Sequence, residues 1–387
     1  MKRQQQQTQQ KQKRQQDIPQ QQAAQQGKSR WNTPEMQAYR QEVREATFTK
    51  EGMMVAFPTC FPGMTVPIVP DESRITALDA VSNGAIYGGT SGYQTHLFAA
   101  EFHGIMGIVF DLGVVQDATQ CVAVCCGKTQ FAAFVNGPKG GRAILVQLAR
   151  MDSDLIQEWG FRRPSFKDLG ECVAGEPVVH AVAIPESDLV IGTTSRHVFK
   201  LDLKAEKIEV VGEVPAGGRV ARASKGGIVG KDSEQSLWYL DSKTLNFKRD
   251  AINLPKGKWN LPLMWARDTR TGMLYTADEA GQLFCFDETG GFKGPLGKVS
   301  VPPVGPMAVT YDGRVFGFCG EEMARLFCLD PATKKVAMLG GAASVIEHRR
   351  YGYVFGDAVT GRDGEIIFGE NDNGGHLWLY FPRIMPA

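Results

Sequence analysis

From about residue 74 onward the chain alternates short apolar runs with polar turns, and one phrase returns seven times. An apolar run closes on Gly or another small residue and a polar turn follows. The next run reads as an aromatic or aliphatic residue, two more residues, then Leu-Asp or a close variant. Leu237-Trp238-Tyr239-Leu240-Asp241 and Leu326-Phe327-Cys328-Leu329-Asp330 are two copies, and the others stand at 97–101, 144–148, 198–202, 283–287 and 377–381. The copies recur roughly every 40 to 55 residues, the length of four short strands with their turns. A lone sheet of this kind cannot bury both faces, so the copies must close on one another. The pattern therefore predicts an all-β chain, a ring of seven four-stranded antiparallel sheets.

The first unit is expected at 75–115, with strands at 75–81, 85–89, 95–102 and 107–115. The second, 119–172, carries an insertion around 151–167 whose Trp159 and Phe161 should pack on the rim. The remaining units follow at 178–214, 220–254, 261–301, 306–340 and 353–382. Asn83-Gly84 and Asp312-Gly313 are the chemistry of tight hairpins. The seventh unit has three strands after residue 353 and no fourth, so 52–58, or failing that 64–69, is expected to supply it and close the ring. An open ring would present strand edges for aggregation. Ahead of the ring, residues 1–30 are a Gln-rich tail expected to be disordered. Residues 31–51 read as a linker or a short helix, with Thr33 as cap and Pro34 in its first position.

Charge and cysteine usage narrow the setting. Lys plus Arg number 43 against 42 Asp plus Glu, so no global field points to nucleic acid. No apolar run is long enough for a membrane-spanning helix. Most of the eight cysteines sit within apolar strands and no Cys-x-x-Cys occurs, which favours buried thiols over disulfides or a thiolate zinc site. With no secretory leader in the first thirty residues, this reads as a cytoplasmic protein.

The repeat, with its glycines and aromatics, resembles seven-bladed β-propellers over about 80% of the chain. The Trp-Asp repeat dipeptides are absent, and Gly88-Gly89 gives one blade alone a kelch-like pair. Its charged loops are also loosely similar to propeller polysaccharide lyases of the oligogalacturonide lyase kind and to streptogramin lyases. That resemblance implies a ligand at the channel mouth and elimination chemistry, and no catalytic residue of those enzymes is carried over to this sequence.

With strands lettered a to d from the axis outward, the d-to-a and b-to-c connections emerge on one face, the expected ligand face. They place His180, His197, His348 and His376 there, and histidine suits proton transfer or metal ligation near neutral pH. Glu347-His348-Arg349-Arg350-Tyr351 is the densest run: two arginines to clamp a carboxylate or phosphate beside an acid–base pair. Arg222, Arg196 and Trp259 join Arg349 and Arg350 as candidate substrate contacts, with His348, Tyr351 and His180 as candidate catalytic groups. Between Gly369 and His376, the side chains of Glu370, Asp372 and His376 could hold a divalent cation, Ca²⁺ or Mn²⁺. The same residues are also ordinary turn formers. No Walker spacing and no Gly-x-Ser-x-Gly elbow occur.

Three functions remain open on these residues. The first is a carbohydrate-active propeller that binds an acidic oligosaccharide and cleaves it by β-elimination, as a polysaccharide or oligosaccharide lyase does. The second is a protein-interaction scaffold, which predicts an apolar patch on the ligand face. The third is another metal-dependent small-molecule enzyme.

Overall fold

The computed structural model describes residues 33–34, 37–38, 52–58, 70–150, 155, 158, 163–345 and 351–383, apart from 234, 260, 261 and 373. Residues 1–47 form a unit separate from 48–387. In the first unit residues 34, 37 and 38 are helical, and the Gln37 amide donates to the Thr33 carbonyl at 3.0 Å.

The second unit is a seven-bladed β-propeller. Its inner strands a are Arg74–Ala80, Gln120–Cys126, Val178–Ile184, Val220–Arg222, Ala266–Arg267, Val304–Val309 and Phe355–Thr360, for blades 1 to 7 in order. Each blade continues outward through strands b, c and d by antiparallel pairing. Seven hydrophobic clusters hold the ring, one between each adjacent pair of blades. Alternation along a strand feeds two of them: in blade 1, Leu97 and Ala99 pack toward blade 2, while Phe98 and Ala100 pack toward blade 7. Both faces of strands b and c are buried, which is why they read as continuous apolar runs, while outermost strands such as Phe166–Glu171 and Phe247–Asn253 are half-buried or exposed.

The Gly–aromatic phrase has a packing cause. Gly88, Gly192, Gly230 and Gly317 on strands b stand opposite Phe98, Phe199, Trp238 and Phe327 on strands c. The ring lies across the glycine: a Cβ on Gly88 would sit 2.2 Å from Phe98 Cζ, and one on Gly230 2.4 Å from Trp238 Cζ2. The a-to-b turns repeat as well. At 81–85, 223–227, 310–314 and 361–365 the fourth residue is a glycine with φ between +86° and +95°, where an L side chain is strained.

Ring closure follows the expectation. The strand Gly52–Pro58 pairs with His376–Pro382, from Gly52 opposite Pro382 to Pro58 opposite His376. The alternative, 64–69, lies outside the described residues. Two details differ from the sequence reading. Blade 6 gains a fifth, outermost strand, Tyr351–Gly352, on Ala342 and Ala343, and the inner strand of blade 5 is confined to Ala266–Arg267. Trp159 and Phe161 lie outside the described residues. Of the described cysteines, all are free and all but Cys328 are buried.

Neighbouring inner strands share no main-chain ladder, so side chains of the inner strands, and Asn136 of strand b in blade 2, staple adjacent blades instead. Asp357 Oδ2 accepts the Leu78 amide (2.9 Å), and Asp79 Oδ2 accepts the Cys126 amide (2.7 Å). The Asn136 amide group bonds the Val178 carbonyl and N–H, and Thr360 Oγ1 donates to the Val309 carbonyl. Arg267 Nε donates to the Arg222 carbonyl (3.0 Å). A buried amide without such an acceptor is costly.

Candidate functional site: the central channel

All seven inner strands line a cavity of about 710 Å³ on the axis, within the range that holds small organic ligands. Ser82, Lys128, Pro185 and Thr269 place its mouth among the a-to-b turns, at the face opposite the d-to-a and b-to-c connections where the sequence reading expected the ligand. A second cavity of about 370 Å³ lies at the other end, against Trp259, Asp278, Pro303 and Phe355. Arg219 borders both. From blade 4 its side chain reaches to blade 7, where Nη1 lies 3.8 Å from Asp357 Oδ1 and Nη2 donates to the Gly356 carbonyl at 3.4 Å. This strut divides the channel into two chambers.

The larger chamber is electrically two-sided. His180, Arg219, Arg222 and Arg267 come from blades 3, 4 and 5, whereas Asp79 and Asp357 come from blades 1 and 7. On the basic side, Arg222 Nη2 donates to Glu186 Oε1 at 2.8 Å, but its buried Nε has no partner. Burial, then the like charge of Arg222, lowers the pKa of Arg267. The carboxylates acting on this pair are the exposed Glu186 and the buried Asp268, and the like charge of the two guanidiniums favours an anion beside them. His180 Nδ1 accepts the Val220 N–H at 3.3 Å, leaving the ring proton on Nε2. Burial, reinforced by Arg219, holds its pKa well below the usual value, so the imidazole is neutral.

On the acidic side, burial raises the pKa of Asp79 to about 6, against the lowering effect of the Cys126 and Ala80 amides and with a further upward push from Asp357. Burial also raises that of Asp357, which Arg219 and the Leu78 and Ala358 amides pull back. Each carboxylate already serves as a staple, yet each oxygen retains a lone pair.

Of the candidates read from the sequence, His180 and Arg222 share the larger chamber. Trp259 borders the smaller one, but it is a buried core residue whose Nε1 donates to the Pro255 carbonyl at 2.8 Å. Arg196 is mostly exposed and pairs with Glu176 at 3.1 Å, away from both chambers. Tyr351 stands in the outermost strand of blade 6 rather than at the axis. His348, Arg349 and Arg350 lie outside the described residues.

The proposed cation ligands Glu370, Asp372 and His376 are adjacent but otherwise engaged. Glu370 Oε2 accepts both the main-chain N–H (2.9 Å) and Nδ1 (2.7 Å) of His376, while Asp372 Oδ1 accepts the Gly374 amide. Among the described residues no group of three or more His, Cys, Asp or Glu could hold a metal ion.

The His376 pair has counterparts. The main-chain amides of His96, His197, Gln282 and His376 each donate to a side chain at the preceding b-to-c corner, Thr90, Thr194, Asp278 and Glu370 respectively. His96 and His197 further bind Glu72 with Asp111, and Glu176. These histidines brace blade corners.

Asp79, Asp357 and Arg267 were not selected from the sequence. The available signal was a charge inside an innermost strand, as in Leu78-Asp79-Ala80 and Gly356-Asp357-Ala358, where burial on both faces calls for apolar residues.

No family model and no curated protein matches the chain. Among solved structures, a structural genomics protein of unknown function from Bacteroides thetaiotaomicron aligns over 81% of this chain and 70% of its own, at 11% identity and a TM-score of 0.46. Virginiamycin B lyase from Staphylococcus aureus aligns over 86% of this chain and all of its own, at 7% identity and a TM-score of 0.59. The chain is a seven-bladed β-propeller, and its likeness to that lyase is one of fold.

Proposed function

We propose that the larger chamber binds a small polyanion, an acidic oligosaccharide, and that the protein is a lyase acting on it by β-elimination. The observation that carries this reading is the juxtaposition of two like-charged guanidiniums, Arg222 and Arg267, in the lining of a chamber of about 710 Å³. Planar forks suit the carboxylates of uronic acids, and the neutral His180 supplies an Nε2–H for a developing oxyanion. Virginiamycin B lyase is, by its name, a lyase on the same fold, and at 7% identity it lends no residue to this chain. The scaffold reading gains less support: among the described residues the most exposed apolar side chains, Tyr93 and Met106, lie at opposite ends of blade 1.

Calorimetric titration with trigalacturonate, with maltotriose as the neutral control, tests the reading. Binding of the acidic sugar alone is expected, with Arg222→Ala weakening it on the order of 30-fold through the loss of a charge-assisted contact. No binding of trigalacturonate or of a glucuronate oligomer by the wild type rejects the acidic-sugar reading.

A further inference from the structure

In a ring of seven, the blades across the axis from blade 1 are blades 4 and 5. Asp79, Arg222 and Arg267 stand at or next to the ends of inner strands in those three blades, at the same depth near the a-to-b turns. A ligand carboxylate on the two guanidiniums therefore presents the rest of its ring toward Asp79. We infer that Asp79 is the proton-abstracting group of this chamber, acting on the carbon next to a carboxylate held by Arg222 and Arg267. The inference rests on the acidic-sugar reading and adds to it the group that does the chemistry.

The surroundings suit that role. The groups facing Asp79 are the Cys126 amide and thiol from blade 2, the Ala80 amide of its own strand and the Asp357 carboxylate from blade 7. No lysine or arginine forms an ion pair with Asp79 among the described residues, so the carboxylate keeps its basicity. A base working near neutral pH needs such a value, and Asp357, held by Arg219, is less free to act. Burial and Arg219 hold the His180 pKa well below its usual value, which favours the neutral imidazole.

The step balances within the site. Asp79 takes the C5 proton of the uronate, and the C–H electron pair becomes the C4=C5 double bond. The C4–O4 bond breaks and O4 departs with its electron pair. The proton held by Asp79 then passes to O4, which completes the alcohol of the leaving sugar and restores the carboxylate.

The test compares wild type with Asp79→Asn for trigalacturonate binding by calorimetry and for formation of the unsaturated uronate by ultraviolet absorbance. Equal affinities within threefold, at least a hundredfold lower turnover in the variant, and a wild-type kcat/KM that falls as pH drops through about 6 support the assignment. A purely structural Asp79 would not place that inflection in the pH profile. Turnover in the variant within tenfold of wild type, a pH profile flat between 5 and 7, or binding without turnover by the wild type overturns Asp79 as the base and leaves the binding site standing. Failure of the wild type to bind either trigalacturonate or a glucuronate oligomer removes the acidic-sugar reading, and the assignment of Asp79 with it.

Discussion

Replacing Asp79 by Asn should make the protein more stable at alkaline pH and less stable in acid. In the folded chain this carboxyl titrates at about 6, against 3.8 for an ordinary aspartate. A carboxyl whose pKa is raised on folding imposes no penalty when both states are protonated. The penalty grows as pH rises from about 4 to about 6 and is complete above that. Two pKa units correspond to about 3 kcal/mol, and the open mouth of the chamber lets water reduce this to about 2 kcal/mol. Asn has one acceptor oxygen for two main-chain donors, the Cys126 and Ala80 amides, so the substitution also loses about 1 kcal/mol of hydrogen bonding. Asp79→Asn should thus lower stability by about 1 kcal/mol near pH 4 and raise it by about 1 kcal/mol near pH 8. Urea unfolding of both proteins at intervals of half a pH unit reads the swing from the midpoints. A difference between the two that stays constant from pH 4 to 8 would refute the claim that Asp79 is a strained, basic carboxylate. The expected result is also the mark of a residue kept for function against stability.

Three further outcomes follow from the ring itself. Deleting residues 1–30 should leave the thermal midpoint within about 2 °C of wild type, whereas deleting 1–58 removes the strand paired with His376–Pro382 and should yield an aggregating product in size-exclusion chromatography. His96 is held above its ordinary pKa, burial opposing but its bonds to Asp111 and Glu72 prevailing, so its contribution is complete below about pH 6.5 and fades as pH rises through the folded value. His96→Gln should accordingly cost about 2 kcal/mol at pH 6 and clearly less at pH 9 in denaturant titrations. Gly230→Ala drives a methyl into Trp238 and should cost about 2 to 3 kcal/mol, with a red-shifted tryptophan emission as that ring is displaced.

The blades were legible because their signal is both local and repeated. Leu237 to Asp241 alone could be any buried strand, but seven copies at one spacing require seven equivalent environments, and the unpaired last blade points to a strand from the N-terminal side. The site was only half legible. His180 and Arg222 share a chamber, although both stand in inner strands and not in the d-to-a loops to which the sequence reading assigns them, and that reading gives His197 and His376 the same standing. A histidine bracing a corner against Glu176 or Glu370 has the sequence appearance of a catalytic one, since its carboxylate partner is chosen by the fold. Asp79 and Asp357 escaped for the opposite reason: they lie inside strands, where reading by loops does not look. The chamber's mouth at the a-to-b turns depends on the Arg219 strut, a contact between blades 4 and 7 that no local pattern records.

The pairing of Gly52–Pro58 with His376–Pro382 also sets an order of events during synthesis. The outer strand of the last blade is among the first segments of the ring to leave the ribosome, and its partner is the last. Until residues 355–382 have been made, blade 1 has no blade 7 to cover its face, and Ile75, Leu78 and Phe98 of that interface stay open to other chains. Blades 1 to 6 can stack by local contacts as they emerge, but closure waits for the most distant pairing in the chain, the slowest kind of contact to form. The ring is thus complete only once residues 376–382 have been made, and a chain cut before them carries both an unpaired strand and an uncovered apolar face.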